Sequence, residues 1–359
     1  MKQEKIVLGI GYTNSCNMNC DFCYSKDNRM FSYKQPIDVW KKFFDKNGKY
    51  IQSINYGTGE NVLEDEWFVL IEYIAEKFPD IVQAVTTNGS ISKILNEDKK
   101  KKKIFLKTIS EVDVSLDYSS KDKHNKIRGN NFAYEWALDT MSFCNENGLR
   151  LTIVTIGLDQ TLELDNIEGI FNIAKKYNAY NRINIYRKSI DREDNCELSY
   201  NALMNFLQWA SKNDSIVELS DPLFNAIYGN ENNIEDKSGV SSFRVVSDGR
   251  IYPSTYLLHD DFLIGNIKDE NFTFNKKFEF SSKVIIPDDC KECIYVDKCK
   301  GGAIDRRILW YKTFNHQDPY CPFLHHNESE YKIFINSKRG DFKSVHAGYL
   351  PTLFFKYGS

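Results

Sequence analysis

The sequence predicts an α/β fold, a partial (β/α)6 TIM-like barrel followed by a small cysteine-rich domain. Two observations carry this. Between residue 5 and about residue 186, six short β-rich runs alternate with stretches of helical period, and the rhythm then stops. Four cysteines gather between residues 290 and 321, just after a hairpin signal. Repeated βα units argue for a parallel sheet with helices outside, and right-handed crossovers curl such a sheet into a full or partial barrel.

The β-rich runs are KIVLGI, YIQSINY, IVQAVTT, EVDVSLD, LRLTIVTI and NRINIY. Between them IDVWKKFF, EDEWFVLIEYIAEKF, ISKILNED, FAYEWALDTMSFCNENG and IEGIFNIAKKY space apolar residues by three and four. Function in such a barrel sits in the loops after the strands. Asn88-Gly89 and Asn147-Gly148 mark turns or helix ends, and the lysine run over residues 99–103 reads as a solvated helix end or loop. Residues 199–212 predict one more helix, and FRVVSDGRIYPS predicts a hairpin turning at Asp248-Gly249. The expected organisation is a barrel over 1–195, a linking helical segment over 196–240, the cysteine-rich domain over 241–330, and a tail over 331–359. The tail is apolar enough to dock on the barrel, with Tyr349, Phe354 and Phe355 covering one end.

With 47 basic and 50 acidic residues among 359, the net charge of -3 suggests neither a general nucleic-acid binder nor a membrane-surface binder. The early apolar run is too short for a signal peptide, and no stretch reaches the ~18 apolar residues of a membrane span. A cytoplasmic protein is expected. Its nine cysteines are then poor disulfide candidates, and clustered ones point to metal or catalysis.

Cys16, Cys20 and Cys23, in TNSCNMNCDFCYS, follow the first strand. Three thiolates leave a tetrahedral zinc site incomplete, and the loop holds no histidine. A [4Fe–4S] cube on three cysteines has one iron open to a substrate or cofactor. Spacing alone also allows a zinc knuckle with a distant ligand, or reactive thiols.

The CxxxCxxC pattern, with Phe22 before its last cysteine, resembles the radical S-adenosylmethionine (radical SAM) superfamily. The resemblance implies a [4Fe–4S] cluster whose open iron chelates SAM. One-electron cleavage of SAM then gives a 5′-deoxyadenosyl radical that abstracts a substrate hydrogen. It covers roughly residues 5–190. Gly57-Thr58-Gly59-Glu60-Asn61 is similar to the family's Gly-Gly-Glu-Pro stretch, so Gly59 and Glu60 are expected at the SAM amino group, with Thr58 and Asn61 as departures. Thr87 and Asn88, within Thr86-Thr87-Asn88-Gly89, are expected to line the SAM site. Ser115 and Arg128 are expected to hold the SAM carboxylate, and Tyr186 to lie near the adenine.

Cys290, Cys293, Cys299 and Cys321 form C-x2-C-x5-C-x21-C, which completes either a zinc site or a fully ligated iron–sulfur cluster. The stretch resembles the SPASM domain of many radical SAM enzymes, which carries two auxiliary [4Fe–4S] clusters. Against that pattern Ser254 and Ala303 stand where inner-cluster cysteines belong, so one auxiliary cluster, the outer, is expected, and two [4Fe–4S] clusters in all. Sulfatase maturases resemble this architecture but have an acidic residue where Thr255 stands. Of the remaining cysteines, Cys144 reads as core, while Cys196 is a candidate hydrogen donor to a substrate radical or a loop cysteine without a role.

The resemblance thus implies a radical SAM enzyme that most commonly modifies a ribosomally made peptide, by crosslink, thioether, epimerisation or excision. A small molecule such as a sugar or aminocyclitol is the alternative substrate. A non-catalytic iron–sulfur carrier or metal-braced binding protein is the alternative of another class. Expected partners are an electron donor such as flavodoxin or ferredoxin and, since Cys16 leaves no room for a fused leader-binding module before the barrel, either a separate leader-peptide-binding protein or a substrate that needs none.

Overall fold

Strands form where the β-rich runs lie: β1 Ile6–Ile10, β2 Ile51–Tyr56, β3 Val82–Thr87, β4 Glu111–Ser115, β5 Arg150–Gly157 and β6 Tyr180–Ile185. They pair parallel in chain order. The structure, a computed structural model, describes residues 5–26, 33–188, 195–229, 234–275, 277–325, 333, 344–347 and 349–356. Helices α1 Ile37–Asn47, α2 Asp65–Lys77, α3 Ile91–Glu97, α4 Lys99–Thr108, α5 Lys121–Arg128, α6 Ala133–Glu146 and α7 Leu164–Lys176 fill the crossovers. Residues 91–108 make two helices because Asp98 ends the first and caps the second, accepting from the amides of Lys100 and Lys101. The lysine run is therefore the first turn of α4. Helix α5, over the predicted Arg128 motif, was not expected; His124 and Ile127 bury one side of an otherwise charged segment.

The sheet continues past both ends of the six. Beyond α8 Tyr200–Lys212 come β7 Ile216–Ser220, α9 Pro222–Tyr228, β8 Ser242–Val245, β9 Arg250–Tyr252, β10 Gly265–Asn266, α10 Phe280–Lys283, α11 Val296–Cys299, α12 Ile304–Tyr311 and β11 Thr352–Phe355. The hairpin β8–β9 turns at Asp248-Gly249, as expected, but β8 also pairs parallel with β1. The segment over 196–240 thus does not interrupt the sheet. On the other edge β11, from the tail, lies antiparallel between β6 and β7. Phe354 and Phe355 are strand residues there, fully buried.

Alternation along the strands sorts two environments. Leu8 and Ile10, Val112 and Val114, and Ile153 pack with Trp40, Trp67 and Phe105 in one buried core. The opposite face is the lumen. Near its lower end Asp113 pairs with Arg182, Nη2 to Oδ2 2.5 Å, and with His346 Nε2 at 2.8 Å. Tyr349 crosses to β1, its hydroxyl 1.7 Å from where a Cβ on Gly9 would stand, and its carbonyl accepts from Ser242 Oγ. The tail therefore ties β4 and β6 to β1 and β8, and the sheet curls around it. Overfilling this contact strains the core. Gly9→Ala is expected to destabilise the protein by about 1–3 kcal/mol. Because the two residues share one space, adding Tyr349→Ala should cost less than the sum of the single changes; thermal unfolding of the three variants checks this.

Candidate active site at the carboxyl ends of the strands

The cysteine loop leaves β1 and is gripped from two sides. On one, the Glu60 amide donates to the Ser15 carbonyl at 2.8 Å; on the other, the Asn19 amide donates to the Arg128 carbonyl at 3.1 Å. Both contacts are backbone on backbone, and both need glycine. Gly59, at φ +65°, would set a Cβ 2.5 Å from the Ser15 oxygen, and Gly129, the left-handed cap of α5, 2.8 Å from the Asn19 oxygen. Asn17 adds a third tie, its carbonyl accepting from Asn130 Nδ2 at 3.0 Å and its side chain from Asn88 Nδ2 at 2.6 Å.

Polar groups approach each cysteine sulfur. Asn88 Nδ2 lies 3.6 Å from Cys16 Sγ, Arg128 Nη1 3.8 Å from Cys20 Sγ, and Ser25 Oγ 3.3 Å from Cys23 Sγ. Burial pushes the Cys20 thiol up to about 11, against the pull of the Arg128 guanidinium. A metal or cluster takes such thiols deprotonated, so its binding must release their protons.

Glu60 is fully buried. Its Oε1 accepts from Thr87 Oγ1 at 2.7 Å and its Oε2 from the Asn88 amide at 2.8 Å, so β2 and β3 end on one carboxylate. Burial pushes that carboxyl up to about 7, although these bonds and the Arg128 charge oppose the shift. The two departures in this loop have partners of their own: Thr58 Oγ1 bonds the Tyr24 hydroxyl at 2.8 Å, and Asn61 Oδ1 accepts from the Tyr12 amide at 2.9 Å.

After β4, Asp117 organises the turn. It accepts from Arg128 Nε at 2.6 Å and from the Ile156 amide at 3.0 Å, while its own amide donates to His124 Nδ1 at 3.1 Å. Burial depresses His124 to about 4, so it stays neutral and accepts. Arg128 also lies over the Phe22 ring, 5.0 Å from its centroid. Asp117 carried no predicted role, since nothing in the sequence says which acid will hold the arginine.

Cys16, Cys20, Cys23, Gly59, Glu60, Thr87, Asn88, Ser115, Arg128 and Tyr186 all line one cavity, enclosing about 890 Å³ and open to solvent. Tyr24, Thr58, Arg187 and Tyr256 also line it, and sequence reasoning gave none of them a role there. Arg187 is buried, with Nε 2.9 Å from Asp305, and Asp305 accepts from Ser254 Oγ at 3.0 Å. Cys196 does not line the cavity; it is half-buried at the edge of the core, and Cys144 is core.

Cys290, Cys293, Cys299 and Cys321 line a second, smaller cavity of about 310 Å³ with Leu223, Ile227 and Phe323. Burial pushes Cys290 to about 11 and Cys321 to about 12. Among the described residues only Glu111, Asp113 and His346 bring three candidate ligand atoms within 4.8 Å of one another. Arg182 already neutralises that group. Neither cysteine set is drawn as tight as a zinc ion draws thiolates, about 3.8 Å apart for Zn–S bonds of about 2.3 Å.

Residues 10–168 match the model of the Radical SAM superfamily. They are a radical SAM domain. Over 326 residues the chain is 21% identical to the mycofactocin maturase MftC of Mycolicibacterium smegmatis, covering 86% of this chain and 80% of that protein. Its fold is similar to native anSMEcpe with bound AdoMet and Kp18Cys peptide, with TM-score 0.69, 20% identity, and coverage of 89% and 94%. It is also similar to Streptococcus suis SuiB bound to precursor peptide SuiA, with TM-score 0.61, 15% identity, and coverage of 89% and 76%. Among the described residues no helix is long and apolar enough to cross a membrane.

The radical SAM domain thus keeps a buried carboxylate at its centre. A carboxyl whose folded pKa is raised holds more protons in the native than in the unfolded state. Stability therefore falls as pH rises from the unfolded value of 4.5 to about 7. Glu60→Gln is expected to stabilise the metal-free protein above pH 7, by up to ~3 kcal/mol, with little effect below pH 4.5, while weakening SAM binding. Chemical denaturation across pH, beside equilibrium SAM binding, checks both signs.

Proposed function

We propose that this chain is a radical SAM enzyme that modifies a ribosomally made peptide in the cytoplasm, with SAM and two [4Fe–4S] clusters as its cofactors. One observation carries the reading: three cysteines, Glu60, Ser115 and Arg128, brought from the ends of three strands, line a single cavity. Cys16, Cys20 and Cys23 would hold the SAM-binding cluster, and that cluster with SAM supplies one-electron cleavage to a 5′-deoxyadenosyl radical. Glu60 would accept from the SAM amino group. Ser115 and the guanidinium of Arg128, held at Nε by Asp117, would take its carboxylate. Gly59, Thr87 and Asn88 would shape the pocket, and Tyr186 would flank the adenine.

Cys290, Cys293, Cys299 and Cys321 would hold the second cluster, in a SPASM-like domain at the outer position. The apolar lining of their cavity favours a cluster over zinc. The inner position is filled otherwise: Ser254 is bonded to Asp305, and Ala303 is buried. A peptide substrate is favoured over a small molecule by the bound peptides of anSMEcpe and SuiB. A bare electron carrier has no use for the open cavity beside Glu60. Flavodoxin or ferredoxin would supply the electron, and a separate protein would bind a leader peptide.

Anaerobic, reduced protein is expected to form 5′-deoxyadenosine from SAM, and Cys20→Ala to lower that rate at least ~100-fold. Metal analysis is expected to give about eight irons and no zinc, falling to about four irons in Cys290→Ala/Cys293→Ala. About four irons with one zinc in the unmodified protein would contradict the auxiliary cluster.

A further inference from the structure

Arg306 and Arg307 stand side by side on α12, both buried, and are compensated in different ways. Arg306 lies between two carboxylates: Nε and Nη2 grip Asp318 at 2.9 and 2.6 Å, and Nη1 and Nη2 reach Asp221. Arg307 forms no ion pair among the described residues, and its acceptors there are all backbone carbonyls. Its Nε donates to the carbonyl of His316 at 2.8 Å and its Nη1 to that of Lys300 at 3.3 Å, while Nη2 donates to those of Ile285, at 2.8 Å, and Phe314. A guanidinium does not shed its charge, and a buried one served by carbonyls alone is a cation without a counter-ion.

Those four carbonyls belong to the segments that carry the outer cysteines. Ile285 precedes Cys290, Lys300 follows Cys299, and Phe314 and His316 precede Cys321. One side chain thus ties the three stretches together. Gly301, at φ +92°, lines the cysteine cavity, and Arg307 Nη1 lies 3.3 Å from where a Cβ on Gly301 would stand. The guanidinium is therefore directly behind the cavity wall, and its charge opposes the upward push that burial gives the Cys290 thiol. Arg306 braces the same wall through Asp318, whose amide donates to the Gly301 carbonyl at 3.0 Å and whose carbonyl accepts from the Cys321 amide at 2.9 Å.

An iron–sulfur cluster on four thiolates is net negative, and the hydrogen bonds and charges around it set both how firmly it is held and its reduction potential. Resting on the outer-cluster reading above, we propose that Arg307 is a positioning residue of the Cys290, Cys293, Cys299 and Cys321 site: it gathers the cysteine segments and supplies the counter-charge to the anionic cluster they hold. The charge of Arg306 is taken up by Asp221 and Asp318, which leaves that of Arg307 to the thiolates.

The test uses the full-length protein carrying Cys16→Ala/Cys20→Ala/Cys23→Ala, so that only the outer site holds metal. Two quantities are read: the rate at which the oxidised protein releases iron to excess chelator, and the ratio of reduced to oxidised cluster at a fixed solution potential, by electron paramagnetic resonance. Arg307→Gln is expected to release iron about 10-fold faster. It should also lower the ratio at least ~3-fold, because the reduced cluster has lost a nearby cation. Arg307→Lys keeps the charge but not the four carbonyl bonds, so release should quicken while the ratio stays within about twofold of the unmodified site. Arg307→Met replaces the glutamine variant if that one does not fold. Unchanged release, or equal ratios in the glutamine and lysine variants, overturns the assignment. Metal analysis of the same samples keeps that failure apart from failure of the outer-cluster reading: zinc in place of about four irons contradicts the cluster, and zinc release to the same chelator then decides for or against Arg307.

Discussion

The active-site architecture depends on one steric constraint: the cysteine loop passes between two backbones that come too close for any side chain. Gly59 on one flank and Gly129 on the other let the Glu60 amide reach Ser15 and the Asn19 amide reach Arg128. With the loop so held, the same elements that clamp it also deliver its chemistry. Glu60 is one residue past the first clamp and Arg128 one residue before the second. The contacts that fix the cysteines therefore fix the predicted SAM ligands relative to them, and a scaffold of strand ends converts sequence separation of over a hundred residues into one wall.

Around that clamp the site is built of buried polar groups that satisfy one another. Thr87 and the Asn88 amide share Glu60, Asp117 holds Arg128, and His124 stays neutral to hold the Asp117 amide. Each is costly alone and acceptable in company. Where a partner is missing, the missing partner is informative. Glu60 is buried beyond what its two donors offset. It lines the cavity, where a ligand with the complementary charge would complete it.

Much of this was legible in the residues. Six β-rich runs placed six strands, and short motifs after the first, second, third, fourth and sixth named ten residues that converge on one cavity. What escaped has physical reasons. EVDVS alternates acid and apolar residues as a half-exposed strand does, yet its acidic face is the lumen, where Arg182 and the tail residue His346 neutralise it. Only tertiary contact supplies those partners. The tail strand β11 is an aromatic run with no periodic neighbour to pair with in the sequence, and its place between β6 and β7 depends on a sheet edge formed from residues far away. Helix α5 hid because its residues are charged; only His124, Ile127 and Arg128 are buried. Cys196, a chemically attractive residue type, is not among the residues that line the cavity. Tyr24, Arg187 and Tyr256 had no motif to announce them; Asp305, itself bonded by Ser254, holds Arg187, and Arg187 lies against the Tyr256 ring.

The central claim is that the cluster held by Cys16, Cys20 and Cys23 has an iron that SAM ligates. The most direct measurement is electron paramagnetic resonance of the reduced Cys290→Ala/Cys293→Ala protein, in which only that cluster remains, recorded with and without SAM. The account predicts a [4Fe–4S] signal whose g-values move when SAM is added. A signal that SAM leaves unchanged, in protein shown to carry about four irons, would contradict it.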